Sequence, residues 1–224
     1  MSIVAIITAR GGSKRIPRKN VKDFMGKPMV VYAIESAINS NIFDEVMVST
    51  DDEEIAEISH KYGAKIPFMR SAENSNDYSG TAAVLEEVIR EYKKRNIVFD
   101  DLCCIYPCVP LLNGSILKDA YKKYKENNID KLTPVVRFSF PIQRAFRVNK
   151  DSLLEYIDPI SSKMRSQDLE PMYHDAGMFY FHKSDNIRCE KSLMYELPEH
   201  MVQDIDNLED WKMAEIKYRI LNEL

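Results

Sequence analysis

Short apolar runs alternate with amphipathic segments along most of this chain of 224 residues. Residues 3–7 are apolar at every position and largely β-branched. Such a run predicts a strand buried on both faces of a parallel sheet, since helices cover both sides of such sheets. Further strand-length apolar runs lie at 46–50, 66–69, 102–106, 132–138 and 177–182. Together these apolar runs predict the strands of one central sheet.

Between these runs, apolar residues recur at the three- and four-residue spacing of an amphipathic helix. A first helix is expected after Pro28, with positions 31, 34, 37 and 38 on one stripe. Asp51 and Asp52 come before an acidic first turn, which favours a helix to about residue 62, and Gly63 suits its C-terminal cap. Three more helices are predicted over 80–94, 115–125 and 208–221. The alternation predicts an α/β fold with an open, mostly parallel sheet and helices on both faces.

The alternation breaks between about residues 140 and 175. This region is rich in Pro, Arg, Ser and Gln and lacks a long helical pattern. It predicts an inserted hairpin lobe or a dimerisation arm. The chain length suits a single domain over 1–224 that carries 140–175 as its insertion.

The overall charge argues against one class of partner. The chain has 31 Lys and Arg against 35 Asp and Glu, a formal net charge of −4. Without a net positive field, it is not expected to bind nucleic acid. The apolar runs are too short to span a bilayer and no basic signal region comes first, so we expect a soluble cytoplasmic protein without a membrane partner. The four cysteines are expected to be reduced thiols. Cys103, Cys104 and Cys108 lack zinc-site spacing and are interpreted as packing residues.

A cluster of cations follows the first predicted strand. Residues 10–22 contain six basic side chains and no acid: Arg10, Lys14, Arg15, Arg18, Lys19 and Lys22. A loop at the carboxyl end of a parallel strand faces the crevice in which α/β sheets bind ligands. Gly11 and Gly12 let the backbone amides approach a ligand, and Ser13 adds a hydroxyl. The loop therefore predicts a triphosphate site, and a solvated basic loop is the alternative.

The sequence of this loop excludes two common phosphate-binding motifs. Pro17 stands where a P-loop needs its second glycine, and Gly11-Gly12-Ser13 does not fit the dinucleotide fingerprint. Residues 9–20, ARGGSKRIPRKN, instead resemble the signature loop of the sugar cytidylyltransferases, which make CMP-activated acidic sugars. The resemblance implies a Rossmann-like nucleotidyltransferase fold. It also implies CTP contacts by Arg10, Gly11, Gly12, Ser13, Lys14, Lys19 and Asn20.

Two carboxylates near the C-terminus are candidates for a metal site. Asp204 and Asp206 are two positions apart, so they share one face of an extended segment. Mg²⁺ is commonly bound by one or two carboxylates together with phosphates and water. The alternative is that Asp206 caps the last helix. In the family that the basic loop resembles, an Asp-x-Asp before the final helix holds the catalytic metal, which implies Mg²⁺ on Asp204 and Asp206.

Two further positions are candidates for the nucleobase. Arg70 ends the run at 66–69, and the family has an arginine here that helps to hold cytosine, although Ser71 replaces its usual proline. Gly80 opens the next predicted helix, whose first amides can face the base. Asp51 and Asp52 are interpreted as a helix cap and not as catalytic acids.

Three later segments narrow the resemblance to one branch of the family. Residues 138–145, 164–168 and 173–180 look like the pseudaminic acid cytidylyltransferases, and the similarity extends over nearly the whole chain. Met178 stands where that branch usually has Gln, and the segment at Tyr106 matches its sequence loosely.

The acceptor implied by this branch is a nine-carbon keto sugar acid. The predicted acceptor contacts are Tyr106, Gln143, Arg144, Arg165, Gln167 and Phe179. The two arginines are candidates for the sugar carboxylate, because a bidentate guanidinium suits it, and an ion pair at a dimer contact is the alternative for each. The two glutamines are candidates for hydroxyl or acylamino groups.

The resemblance implies an enzyme that transfers CMP from CTP to the anomeric hydroxyl of a nonulosonic acid, with Mg²⁺ as cofactor. The residues expected to carry catalysis are Arg10, Lys14, Lys19, Asp204 and Asp206. The family works as homodimers, which implies that residues 140–175 reach a partner's site. The alternatives are CMP-sialic, CMP-legionaminic or CMP-KDO synthesis, and a CTP sensor without catalysis. The paired aspartates argue against the sensor.

Overall fold

The computed structural model describes residues 2–76 and 78–222. The strands are β1 (Ile3–Thr8), β2 (Asp23–Phe24), β3 (Lys27–Pro28), β4 (Glu45–Ser49), β5 (Asp101–Ile105), β6 (Lys131–Arg137), β7 (Phe146–Val148), β8 (Leu154–Tyr156), β9 (Tyr173–Asp175), β10 (Phe179–Lys183) and β11 (Leu193–Glu196). The helices are α1 (Met29–Ser40), α2 (Glu53–Lys61), α3 (Thr81–Lys94), α4 (Gly114–Glu126) and α5 (Leu208–Asn222). Within these described residues, no helix has both the length and the apolar composition to cross a bilayer.

Seven strands form one open sheet in the order β11-β6-β10-β5-β1-β4, and β9 lies beside β6. β4, β1 and β5 are parallel, with Ala5 opposite Val46 on one side and Cys103 on the other. β11 is parallel to β6, whereas β10 is antiparallel to both β5 and β6. The predicted α/β class with an open sheet is confirmed. The sheet is mixed and not mostly parallel as predicted, because β10 runs against both of its neighbours and β9 runs against β6.

The core lies on both faces of the sheet. Ile7 is in one apolar cluster with Ile34 of α1 and Leu117 of α4, whereas Ile6 is in a second cluster with Val88 of α3. β1 is therefore buried on both sides, as its continuous apolar run predicts. The expectation of helices on both faces is confirmed.

A third apolar cluster connects the C-terminal helix to the start of the chain. Trp211 of α5 and Ile205 are buried with Ile16 of the basic loop and Phe24 of β2. The ring centroids of Phe24 and Trp211 are 5.4 Å apart, in an edge-to-face arrangement. This packing brings the Asp-x-Asp segment next to the loop that follows β1.

The N-terminal cap of α2 is confirmed. Asp52 has extended backbone angles, and its Oδ1 accepts the Ile55 N–H at 3.0 Å. Gly63 follows the helix with a φ of +92°, a left-handed conformation that favours glycine.

The strand predicted over 66–69 is wrong. Next to this segment, Lys65 forms an isolated parallel bridge to Met47 of β4, and residues 66–69 form no strand. Pro67 has no N–H to continue the ladder, and its ring restricts the residue before it. The short strands β9 and β11 were not predicted.

The region 140–175 contains a hairpin, β7–β8, that forms a two-stranded sheet of its own. Apolar side chains on this hairpin are exposed: Phe146 by 50%, Val148 by 67% and Leu154 by 65%. A dimerisation role for 140–175 stays a prediction.

Candidate active site

The basic loop is closed on itself by a buried side chain. Asn20 is 3% exposed, and its Nδ2 donates to the backbone carbonyl of Arg10 at 2.8 Å. Its Oδ1 accepts from the Cys108 thiol at 3.2 Å, which attaches the loop to the segment after β5. Asn20 therefore fixes both ends of the loop instead of lying open to solvent.

Gly11 is required by a close approach to the start of α2. A Cβ built on this residue would lie 2.6 Å from Oδ2 of Asp52. The Gly11 N–H donates to Oδ1 of Asp51 at 2.9 Å. The Gly11 amide is therefore hydrogen-bonded to a carboxylate in the structure. Gly12 is not close-packed in this way, since a Cβ built on it would meet no atom of the described residues within 4 Å.

A cavity of about 400 Å³ opens beside the loop at the carboxyl ends of β1 and β5. We call it the donor cavity. Its lining includes Arg10, Ser13, Lys14, Lys19, Asn20, Tyr106, Cys108, Gly177 and Asp204. The fold thus brings most of the predicted loop residues together with an aspartate near the C-terminus.

The Asp-x-Asp segment is held against the basic loop by direct contacts. Nζ of Lys19 donates to the backbone carbonyl of Ile205 at 2.6 Å. Nη1 of Arg15 lies 2.5 Å from Oδ2 of Asp206. Burial, and next the charge of Asp206, raise the pKa of the Asp204 carboxyl. The two carboxylates are therefore close enough to repel each other, which suits a site for a cation.

Asn207, and not Asp206, caps the N-terminus of α5. Oδ1 of Asn207 accepts the N–H groups of Glu209 at 2.8 Å and Asp210 at 3.1 Å. Oδ2 of Asp210 in turn accepts the N–H groups of Asp206 and Asn207. Asn207 and Asp210 thus form a reciprocal cap. The side chain of Asp206 forms an ion pair with Arg15 instead.

Arg70 is buried, at 8% exposed, at the carboxyl end of β4. Its Nε donates to Oγ of Ser49 at 3.0 Å and its Nη2 to the Ser49 carbonyl at 2.5 Å. Burial lowers the pKa of its guanidinium. Ser71 is tied to α3, since its N–H donates to Glu87 at 2.8 Å. Gly80 is the N-cap of α3, and no side chain of the described residues caps this helix.

Tyr106 lies at the end of β5 and lines the donor cavity. Its N–H donates to the Met178 carbonyl at 2.8 Å, and its hydroxyl lies 3.4 Å from Oγ1 of Thr81. Its ring packs edge to face on Tyr180, with the centroids 5.4 Å apart. Tyr106 is thus placed between the donor cavity and the start of α3.

The other predicted acceptor residues do not line the donor cavity. Nε2 of Gln143 donates to the Glu170 carbonyl at 2.7 Å, and Nη1 of Arg144 donates to Ser166 at 3.0 Å. Arg165 forms an ion pair with Asp168 at 2.7 Å. Gln167 lines a separate surface cavity near β6, which also includes Phe138.

The prediction that Phe179 contacts the sugar is wrong. Phe179 is fully buried, and its ring packs on Phe181 with the centroids 5.8 Å apart. Strand alternation turns both rings toward α4, so neither reaches a ligand. Tyr180 and His182, on the opposite face of β10, border a second cavity that sequence reasoning missed.

The cysteines are free thiols in the structure. Cys103 and Cys104 are buried in the core, as expected for packing residues. Cys108 was also predicted to be a packing residue, but it lines the donor cavity. Burial raises the pKa of its thiol to about 12, which makes it a poor nucleophile.

The fold and this site define a nucleotidyltransferase, and the chain belongs to the cytidylyltransferase family, whose sequence model matches residues 4–213. It is 47% identical to a pseudaminic acid cytidylyltransferase of Campylobacter jejuni, over 100% of this chain and 99% of that protein. It is 35% identical to N-acylneuraminate cytidylyltransferase A of Danio rerio, over 95% of this chain and 50% of that protein.

A solved structure shares the fold. CMP:2-keto-3-deoxy-manno-octonic acid synthetase complexed with CTP superposes with a TM-score of 0.72 at 19% identity, and the match covers 100% of both chains. At this level of identity the likeness shows the fold alone.

Proposed function

We propose that this protein transfers CMP from CTP to the anomeric hydroxyl of pseudaminic acid and releases pyrophosphate. The observation that carries the proposal is the donor cavity, where basic-loop residues and Asp204 line one space. The full-length similarity to pseudaminic acid cytidylyltransferases supports the choice of acceptor. We place the reaction in the cytoplasm, where CTP is available.

The basic loop would bind the triphosphate of CTP. Lys14 and Lys19 line the cavity at different positions of the loop, with Arg10 at the loop's start and the Ser13 hydroxyl beside them. Fixed cations and donors stabilise the charge that develops on the departing pyrophosphate without having to reorganise. The Ile205 carbonyl holds Nζ of Lys19, and Asn20 holds the backbone of Arg10, so part of this order exists before CTP binds.

The residues around Asp204 fit a divalent cation. The described residues contain no cluster of three or more His, Cys, Asp or Glu side chains suited to a metal. Mg²⁺ does not need one, since it commonly takes one or two carboxylates and completes its shell with phosphates and water. Asp204 and Asp206 would hold it, and the bound ion would supply charge stabilisation for the phosphates and lower the pKa of the attacking hydroxyl.

The reaction is an in-line displacement at the α-phosphorus. The anomeric oxygen forms a bond to this phosphorus as the bond to the bridging oxygen of the β-phosphate breaks. The hydroxyl proton passes to solvent water, and pyrophosphate leaves with the electron pair of the broken bond. Lys14, Lys19 and Arg10 would hold the phosphates in this geometry, so positioning and electrostatics supply the rate without a covalent intermediate.

Arg70 would support the nucleobase through the backbone. Its guanidinium already donates to Ser49, and Ser71 is bound to Glu87 of α3. These bonds fix the segment at 70–71 between β4 and the middle of α3. The uncapped amides beyond Gly80 would then face the cytosine, where a base carbonyl can accept from them.

Residues 140–175, which we call the arm, would complete the acceptor site in a homodimer. The predicted contacts Arg144 and Arg165 lie in 140–175 and do not line the donor cavity of their own chain. The same region exposes Phe146, Val148 and Leu154, which a partner would cover. We therefore propose that 140–175 carries these arginines to the site of a second copy.

The test is incubation of the purified protein with CTP, Mg²⁺ and a panel of acids, with mass spectrometry of the products. The panel contains pseudaminic acid, N,N′-diacetyllegionaminic acid, N-acetylneuraminic acid and 2-keto-3-deoxy-manno-octonic acid. We expect CMP-pseudaminic acid and one pyrophosphate per product. Preferential turnover of another acid would overturn the acceptor assignment. CTP binding without release of pyrophosphate in the presence of any of the acids would indicate a sensor. Asp206→Ala is the matched control and should release no pyrophosphate.

A further inference from the structure

The start of α2 contacts the basic loop at two separate points. At the first point, the Gly11 N–H donates to Oδ1 of Asp51 at 2.9 Å, and Gly11 lies so close to Asp52 that a Cβ has no room. At the second point, Arg18 forms ion pairs with Asp52 and with Glu54. Two consecutive aspartates before α2 therefore hold the loop that we propose to bind the triphosphate.

Arg18 differs in its surroundings from most cations of the basic loop. Four of the loop cations line the donor cavity: Arg10, Lys14, Arg15 and Lys19. The Arg18 guanidinium instead contacts both carboxylate oxygens of Asp52, with Nη2 at 3.1 Å from Oδ1. A two-point contact of this kind fixes orientation as well as distance. Arg18 is therefore engaged with the start of α2 and not with the donor cavity.

The backbone of Arg18 begins the turn that presents the next two residues to the donor cavity. Its φ of +57° is left-handed, a conformation that arginine rarely adopts, so the contacts around it must hold it in place. Its carbonyl accepts the N–H groups of Val21 and Lys22, each at 3.0 Å. Lys19 and Asn20 lie inside this turn, and both line the cavity. A displacement of Arg18 would therefore move a cation and a buried amide of the donor cavity.

Asp52 supports this turn from a fixed position. Its Oδ1 also accepts the Ile55 N–H at 3.0 Å as the cap of α2, and its side chain is 19% exposed. The Arg18 guanidinium lowers the pKa of the Asp52 carboxyl, so this group is ionised at neutral pH. One carboxylate thus fixes both the start of a helix and the turn before Lys19.

The same short segment also holds the arginine that we propose to support the nucleobase. Oγ of Ser49 accepts from Nε of Arg70 at 3.0 Å, and the Thr50 carbonyl accepts the Arg70 N–H at 2.7 Å. Residues 49–52 therefore join the base side of the proposed CTP site to its triphosphate side. A change at Asp52 should loosen the triphosphate side alone, because the bonds to Arg70 come from Ser49 and Thr50.

We infer that the ion pair of Arg18 with Asp52 positions the basic loop for the triphosphate of CTP, which makes both of them positioning residues that act through Lys19 and Asn20. This inference rests on the proposed function. Its measure is the ratio of the dissociation constants of CMP and CTP. The two nucleotides share the base, the ribose and the α-phosphate, and they differ only in the β- and γ-phosphates.

Two substitutions break the ion pair from either side. Asp52→Asn keeps a side chain that caps helices as well as aspartate does, but it removes the charge that binds Arg18. Arg18→Gln removes the cation from a side chain that is 43% exposed. We expect each variant to weaken CTP binding and to lower kcat/KM for CTP about tenfold, because displaced loop groups lose part of their effect. CMP binding should stay within about twofold of the wild type. Titration calorimetry and the pyrophosphate assay measure these values.

A double variant distinguishes positioning from a general loss of stability. Because both residues act through one contact, Arg18→Gln combined with Asp52→Asn should lower kcat/KM for CTP no further than either substitution alone. Glu53→Gln, which removes an exposed carboxylate from the same first turn of α2, is the matched control. It should stay within about twofold of the wild type for both nucleotides.

The outcomes separate this inference from the proposed function. If the wild type turns over an acid of the panel while both single variants keep its ratio of CMP to CTP dissociation constants, the positioning role alone is wrong. Additive losses in the double variant, or equal weakening of CMP and CTP binding, would also overturn it. Absence of turnover with every acid would overturn the proposed function and this inference with it. If Asp52→Asn does not fold, Arg18→Gln decides the question.

Discussion

The donor cavity and the arm at 140–175 differ in how their polar side chains are supported. In the donor cavity, Nζ of Lys19 is held by the carbonyl of buried Ile205, and the loop backbone at Arg10 is held by Asn20, which is 3% exposed. In the arm, Arg144 and Arg165 bind Ser166 and Asp168 of the same segment, on a surface that exposes apolar side chains.

This difference separates the two halves of the proposed reaction. One chain alone preorganises the groups that would hold CTP, because its loop is fixed by its own core. The arm holds its cations in place only through local contacts and leaves its apolar surface uncovered. We therefore expect donor binding to depend on single residues of one chain, and acceptor binding to depend also on assembly.

The largest effect should come from the donor cavity. Lys19→Ala removes a cation held between the cavity and Ile205, and we expect kcat/KM for CTP to fall about a thousandfold, the upper range for loss of one oriented charge-stabilising group. A coupled pyrophosphate assay measures this. Lys22→Ala, in the same loop but outside the cavity lining, should stay within about twofold of the wild type. A Lys19→Ala enzyme with more than a tenth of wild-type efficiency would remove Lys19 from the site.

The next effect concerns the amino end of β5. Asp101 is fully buried and forms ion pairs with Lys125 and Lys183, each at 2.7 Å. Asp101→Asn should lower the free energy of unfolding by about 3 kcal/mol, because both ammonium groups lose their partner. Denaturant unfolding measures the change. Glu155→Gln, which breaks an exposed pair on the arm hairpin, should leave the unfolding midpoint unchanged.

The ion pairs of Asp101 also predict that the stability of the fold depends on pH. Burial raises the pKa of Asp101, but hydrogen bonds from Lys125 and Lys183 outweigh burial and hold it below its ordinary value. A carboxyl with a lowered folded pKa stabilises the fold above the unfolded value of about 4 and loses this effect as the pH falls through the folded pKa. The wild type should therefore lose more stability than Asp101→Asn over this acid range. Parallel losses in both proteins would contradict the assignment.

A third effect tests the arm. Phe146 is half exposed on the hairpin, and Phe146→Asp places a charge where a partner would bury an aromatic ring. Size-exclusion chromatography with light scattering should show a dimer for the wild type and a monomer for this variant. Lys150→Asp, in the exposed turn of the same hairpin, should remain dimeric. A wild-type monomer at micromolar concentration would refute the arm's assembly role.

The smallest effect should come from Arg15. Its guanidinium is paired with Asp206 but is 70% exposed, so the pair is worth little in water. Arg15→Gln should lower the metal concentration for half-maximal binding by about threefold, since the cation no longer competes with Arg15 for the carboxylate. Mn²⁺ binding followed by electron paramagnetic resonance gives this value directly. A weaker affinity in the variant would mean that Arg15 supports the site instead of competing for it.

Much of the fold was predictable because its signals are local. The apolar run of β1, the cap at Asp52 and the amphipathic stripe of α3 each depend on neighbouring residues. β9 and β11 were missed because they have only three and four residues, and β9, which is exposed, carries no apolar run. Their pairing depends on β6, which no local pattern reveals.

Some features of the candidate site can likewise be predicted from neighbouring residues, and others depend on long-range packing. The cation cluster of the basic loop is visible in the sequence, but its distance from Asp204 depends on the packing of Ile205 with Trp211. The bond from Gly11 to Asp51 depends on how α2 approaches the loop. Phe179 was misplaced because alternation fixes which side chains share a face but not which face is buried.

The bond from Lys19 to the carbonyl of Ile205 joins residues that are 186 positions apart. A chain emerging from the ribosome would form β1, its loop and most of the sheet before this partner is synthesised. Nucleotide capture would therefore begin only after residue 205 has been synthesised, and a chain truncated before residue 204 would lack this contact.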